Sequence, residues 1–249
     1  MLKVFFIARH FLNKINTHIN SILENKISPK IIEIQQKSKH TQQYQDPKNY
    51  LAKVIEQLEQ YPMNTNIDTI HDLEHIADIN PQYHWVIMNM LTNLVRNNTV
   101  PATKQKITNN SADKISPFIQ AAITVIARRD TTKDPEDEQI DLSYTDLRGI
   151  NLQGANLKQI NLYQANLSGV NLANANLEGA ILTAANLEGA NLNLANLSGA
   201  ILSAANLDKA NLAGANLQRA NLYLASLQGA ILNDTLLESA NLREAKFTV

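Results

Sequence analysis

The chain has 249 residues, a formal net charge of −1, 18% charged residues and no cysteine. That length and balance suit a protein of two ordinary domains. The lack of cysteine excludes disulfides and thiolate-bound metals, and no run of about 18 apolar residues offers a membrane-spanning helix. Composition also divides the chain sharply: all seven prolines precede residue 136 and all eight glycines follow residue 148.

Residues 1–45 are a basic segment. Val4, Ala8, Phe11, Leu12, Ile15, Ile19 and Ile22 follow helical spacing, with Lys3, Arg9 and Lys14 off that stripe. The first 50 residues hold eight basic and three acidic groups. An amphipathic basic helix can lie on an anionic membrane, so residues 1–25 are a candidate peripheral membrane contact. The plainer expectation is that this helix packs on those that follow. No small-residue cleavage site follows its apolar stretch, so no signal peptide is expected.

Residues 46–130 read as a helical bundle domain. Asp46-Pro47, Asn80-Pro81 and Ser116-Pro117 each place a capping residue before a proline at the first helical position. Tyr50, Leu51, Val54, Ile55 and Leu58 make one apolar stripe, and Ile67, Ile70, Leu73, Ile76 and Ile79 a second. Trp85, Met88, Leu91 and Val95 make a third, and Phe118, Ala121, Ala122 and Val125 a fourth. Four such stripes close a small bundle. Residues 97–114 are polar and expected to be an exposed loop, and 131–139 form an acidic linker.

This half holds the chain's candidates for chemistry. His71, Glu74 and His75 satisfy HxxEH, an inverted zinc-protease pattern with both histidines on one helical face. A hydrolytic zinc needs a third ligand, and no matching helical glutamate follows, so a solvated helix face is the expected reading. His84, beside Trp85, is expected to be a packing histidine. No histidine follows it, and the repeat serines show no activated-nucleophile pattern. No catalytic residue, metal or cofactor is expected.

The second half is built on a period of five. Leucine stands at every fifth position from Leu142 to Leu242, and Phe247 takes the next place. Five residues advance an α-helix by about 500°, which smears the leucines around its surface, and an odd period along a strand throws them onto both faces. A chain that turns a corner every five residues sends them all to one axis. Two residues before each leucine comes a small residue, alanine in 16 of 22 units, and the residue between is asparagine in 14. All eight glycines fall two residues after a leucine, the slot where a type II turn needs positive φ. Residues 176–187 and 196–207 match at ten of twelve places, which sets four sides to a coil of twenty residues.

With its A-N/D-L-x-x unit, residues 140–249 resemble a pentapeptide-repeat protein. The resemblance implies a right-handed quadrilateral β-helix with Leu and Ala slots facing inward and the other three outward. The expected fold class is therefore a mainly β solenoid over 140–249 plus an N-terminal all-α domain. The inward column includes Leu152, Leu172, Leu182, Leu192, Leu202, Leu212 and Leu222. Residues Leu73 to Ala77, Pro81, His84-Trp85, Arg128-Arg129-Asp130 and Asp134-Pro135 further resemble the helical segments that precede the repeats in cyanobacterial-type members. The glycine pair of those segments is replaced here by Asp68-Thr69-Ile70.

Topoisomerase binding by mimicry of DNA, which the family also implies, needs dense negative charge. Residues 140–249 hold eight acidic and six basic side chains. The stronger signal is missing charge: 161–164, 181–184, 201–204 and 221–224 carry none in four successive coils. The outward residues of that side include Tyr163, Ile181, Ile201, Tyr223 and Leu224, the expected partner-binding face. The expected function is a non-enzymatic cytoplasmic scaffold for an unknown protein partner rather than nucleic acid, as a monomer or an end-to-end dimer.

Overall fold

A computed structural model describes residues 46–60, 66–99 and 116–247. The membrane-contact stripe in residues 1–25 and most of the loop expected over 97–114 lie outside these residues. Four helices come first: α1 (Pro47–Gln60), α2 (Ile67–Ile79), α3 (Pro81–Asn98) and α4 (Pro117–Arg128), then a 3-10 turn at Thr131–Lys133. Three of the helices begin at the proline that marked them. Asp46 caps α1 by accepting from the Asn49 N–H at 3.2 Å. Asn80, expected to cap α3, instead donates to the Ile76 carbonyl at 3.2 Å and closes the end of α2. Asn66 caps α2, accepting from the Asp68 N–H at 3.3 Å.

The stripes bury as their spacing requires, except at the ends of α2, where Ile67 and Ile79 are exposed. Helix α3 packs between α2, α4 and the segment after α4, so it buries more than one stripe, including Val86, Ile87, Met90 and Leu94. No helix among the described residues is long and apolar enough to cross a membrane.

From residue 141 the chain coils. Parallel bridges join residues twenty apart along all four sides, such as Asn171 with Asn191 and Asn191 with Asn211. The leucine N–H groups from Leu142 to Leu222 donate one coil onward: Leu192 N–H to the Asn211 carbonyl at 2.7 Å, Leu197 N–H to that of Asn216 at 2.7 Å. From Leu147 on, each corner is a four-residue turn closed by a backbone bond, as from Ala195 N–H to the Leu192 carbonyl at 3.0 Å. Its third residue has positive φ at every fifth position from Tyr144 to Glu244, whether glycine or not. A side leaves room for one bridging residue between turns, so continuous strand is confined to β1 (Ser226–Leu227) and β2 (Lys246–Phe247). Residues 141–247 thus form a solenoid by their ladder although little of them is strand by length.

Leu152, Leu172, Leu182, Leu192, Leu202, Leu212 and Leu222 all lie at 2% exposure or less. They share one uninterrupted apolar cluster with Leu73, Leu91 and Ile126 of the helices. Where the first coil meets the helices, the alanine slot is widened to Ile140, Ile150 and Ile160, all buried.

Candidate interaction face

The outward surface of each side is organised by the residue before the leucine. When that residue is asparagine, its Oδ1 accepts the N–H two residues on, and along unbroken runs its Nδ2 donates to the asparagine one coil back. Asn191 shows both: Oδ1 accepts from Asn193 N–H at 3.2 Å and Nδ2 donates to Asn171 Oδ1 at 3.1 Å. Three sides carry such ladders without a break through their middle coils: Asn166–Asn186–Asn206, Asn171–Asn191–Asn211 and Asn156–Asn176–Asn196.

The side containing Leu162, Leu182, Leu202 and Leu222 differs. Its ladder is interrupted by Ile181 and Ile201, which bridge to each other between Asn161 and Asn221. Ile201 and Leu224 are exposed, at 40% and 42%, while Tyr163, Ile181 and Tyr223 are half-buried. Thr183, Ala184, Ser203 and Ala204 keep the two middle coils low. Tyr163 and Tyr223 rise at either end of them. Tyr163 stacks edge-on against Tyr144 with ring centroids 5.2 Å apart, and the Arg243 guanidinium lies 5.8 Å from the Tyr223 ring. Losing the asparagine leaves the Thr183 and Ser203 N–H groups with no protein acceptor among the described residues. The four middle coils of this face are therefore uncharged, and the central two are apolar and leave those two donors unmet.

Between residues 142 and 233 all the charge lies on the two adjoining sides, and part of it is paired between coils. Lys158 meets Glu178 at 3.0 Å and Lys209 meets Glu188 at 3.4 Å. Gln218 donates to Glu238 at 2.9 Å. The side opposite the face is asparagine-rich and exposes Leu194 at 58%.

The histidines stand apart from this surface. His71 and His75 are exposed on α2, with His71 Nδ1 3.5 Å from Glu74 Oε2. Among the described residues no three His, Asp or Glu side chains are gathered as a metal would require. His84 is buried at 1% exposure, with Nε2 3.2 Å from Asp134 Oδ1. The other oxygen of Asp134 accepts from Arg129 Nε at 2.8 Å.

Arg129 in turn serves the first coil: Nη1 donates to the Asn156 carbonyl at 3.1 Å and Nη2 to that of Lys158 at 3.3 Å. One coil on, the equivalent carbonyls of Asn176 and Glu178 accept from the backbone N–H groups of Leu157 and Gln159. The guanidinium thus replaces two donors of a coil that is not there. Gln120 does the same on another side, accepting from Asn151 N–H at 3.0 Å and donating to the Asn151 carbonyl at 3.2 Å. Sequence reasoning missed both residues. Arg129 stood in the Arg128-Arg129-Asp130 match, which carries no geometry, and Gln120 carried no signal.

The family model for pentapeptide repeats matches residues 140–179, 160–199, 180–219 and 220–248. The chain belongs to the pentapeptide-repeat family. Among solved structures it is similar to Rfr23, a pentapeptide repeat protein of the cyanobacterium Cyanothece 51142, with 40% identity over 40% of this chain and 65% of that one, and a TM-score of 0.29. Another is HetL, involved in heterocyst differentiation regulation in Nostoc sp. strain PCC 7120, with 38% identity over 43% and 55% and a TM-score of 0.31. A third is a pentapeptide repeat protein of the Arabidopsis thaliana thylakoid lumen, with 30% identity over 38% and 66% and a TM-score of 0.37. The chain spans 55% of HetL and at most 66% of the other two. No curated protein matches it. Within this pentapeptide-repeat chain, the outward asparagine slot supplies the ladders, and its replacement by isoleucine in two successive coils sets one face apart.

Proposed function

We propose that this pentapeptide-repeat protein is a non-enzymatic docking scaffold. Its recognition surface is the side bearing Tyr163, Ile181, Ile201, Tyr223 and Leu224. One observation carries the reading. An ordered ladder is broken only there through the middle coils, by apolar residues that leave two backbone donors unmet, beside sides where Lys158 pairs with Glu178 and Lys209 with Glu188. Contiguous apolar surface of this kind is characteristic of interfaces. A duplex-mimicking rod needs unpaired carboxylates in ranks, whereas Glu178 and Glu188 are both engaged by lysines. The coils are read as right-handed and four-sided. The helices are read as a covering for the first coil, with residues 131–139 tying them to it and the scaffold acting in the cytoplasm.

Replacing Ile201 and Tyr223 by aspartate tests this. Partner capture from the native cell should fall at least tenfold, about 1.4 kcal/mol or more of binding free energy, while the unfolding midpoint stays within about 1 kcal/mol of the parent. Unchanged capture by a folded double variant ends the proposal.

A further inference from the structure

We infer that α4 is the template on which the solenoid is wound, so that the coils fold in order outward from the helices. The inference rests on the reading of the helices as a covering for the first coil and adds a role in folding. In the middle coils each side takes its bonds from the coil before. Asn176 shows the pattern: its N–H donates to the Ala155 carbonyl at 2.8 Å, and its carbonyl accepts from Leu157 N–H at 2.7 Å. Asn156 has no coil before it on that side. Its N–H donates instead to the Ala127 carbonyl in the last turn of α4 at 2.8 Å, and Arg129 Nη1 donates to its carbonyl. Arg129 Nη2 serves the Lys158 carbonyl as Gln159 N–H serves that of Glu178. One side earlier, the Gln120 amide stands in for a peptide group, binding both the N–H and the carbonyl of Asn151. The other two sides rest on the chain itself, with Asn161 N–H on the Ile140 carbonyl and Asn166 N–H on that of Thr145. Half of the layer beneath residues 151–166 is therefore α4 with Arg129.

This seat decides where winding begins. The stability of a solenoid is a sum of terms within repeats and between neighbours. Its coils here are nearly alike, as the matches between 176–187 and 196–207 show, so no middle coil is favoured as a start. A start in the middle must order two coils together and close twenty-residue loops before any bridge forms. Helix α4 forms from local contacts, which assemble faster than distant ones. It then presents fixed donors on Arg129 and Gln120, fixed acceptors on Ala127 and Gln120, and an apolar floor. Ile123 and Ile126 supply that floor, fully buried in the cluster that holds Leu152 and Leu157. At the far end the N–H groups of Leu232, Leu237 and Leu242 meet no backbone acceptor among the described residues. Among these residues the seat is at one end only, which gives the winding its direction.

Pulse-labelling hydrogen exchange during refolding of the whole chain from urea is the test. The amides of Asn151 and Asn156 should gain protection before those of Asn211 and Asn216, which donate to the Ala190 and Ala195 carbonyls. Gln120→Ala removes both bonds to Asn151 and keeps a good helix former. It should slow the gain of protection about tenfold and leave the unfolding rate within about twofold. Asn211→Ala, in a later coil, should instead speed unfolding and leave the first coil as quick to form as in the parent. Protection that starts in the middle coils, or arises in all coils at once, overturns the template. A Gln120→Ala variant that refolds at the parent rate and only unfolds faster overturns it too, while its lost stability would still uphold the helices as a covering.

Discussion

At the scale of single residues, Arg129 bears the most. Its side chain is 2% exposed, paired with Asp134, and its fork reaches two carbonyls of the first coil. Removing one partner of a buried ion pair strands the other, so Arg129→Met should cost about 3–5 kcal/mol of unfolding free energy in urea. Arg129→Lys should recover little of this, because an ammonium lacks the planar fork that spans two acceptors. A loss under 1 kcal/mol would mean that the first coil is capped by other means.

Asp130 offers a pH test. The Thr132 hydroxyl, then the Thr132 N–H, hold its carboxyl below the usual value of 3.8. A carboxyl depressed in the folded state favours folding above its unfolded pKa and loses that contribution as pH falls through the folded value. The Thr132 amide resonance should therefore titrate below pH 3.8 while the helices stay folded.

At the scale of the coil, the leucine column and the asparagine ladders make separable contributions. Leu192 is fully buried, and Leu192→Ala should cost about 3–5 kcal/mol by leaving a cavity the ladder cannot close. Asn191→Ala removes bonds to Asn171, Asn193 and Asn211 at a half-buried site, for about 1–3 kcal/mol. Gly214→Ala sets a Cβ 2.7 Å from Leu194 Cδ2 on a backbone with φ +66. Leu194 is exposed and can swing aside, so a loss near 1 kcal/mol is expected from the left-handed backbone. Thermal unfolding of the three variants should rank leucine first and glycine last.

Much of this scale was legible, because the five-residue period states both the inward column and the corner slot. The scarcity of strand was not: a ladder of single bridges between turns satisfies the same period as longer strands. The ladder breaks at Ile181 and Ile201 were readable as apolar residues. Their consequence for the Thr183 and Ser203 N–H groups appears only once Asn161 and Asn166 show what the asparagine does.

At the scale of the molecule, helices and coils share one apolar cluster. The segment expected as an acidic linker contains Asp134, which binds His84 fifty residues away in sequence. Periodicity cannot announce such a contact, since neither residue repeats. Protection should follow the same continuity. Amides of the middle coils, such as Leu192 and Leu197, donate to a coil on one side and lie beneath another, so hydrogen exchange should be slowest there. It should quicken in the coil from Ala230 to Ala245, whose apolar residues are only partly buried.

The twenty-residue coil underlies both the face and its ladders, and a deletion tests it most directly. Removing residues 181–200 joins Ala180 to Ile201, which occupies the slot Ile181 held, whereas removing 191–193 throws every later leucine off the axis. The expected result is a single cooperative melt with the parent far-ultraviolet spectrum for the first deletion and loss of the downstream coils for the second. Equal tolerance of both deletions, or unfolding by the first, would contradict a coil of four five-residue sides.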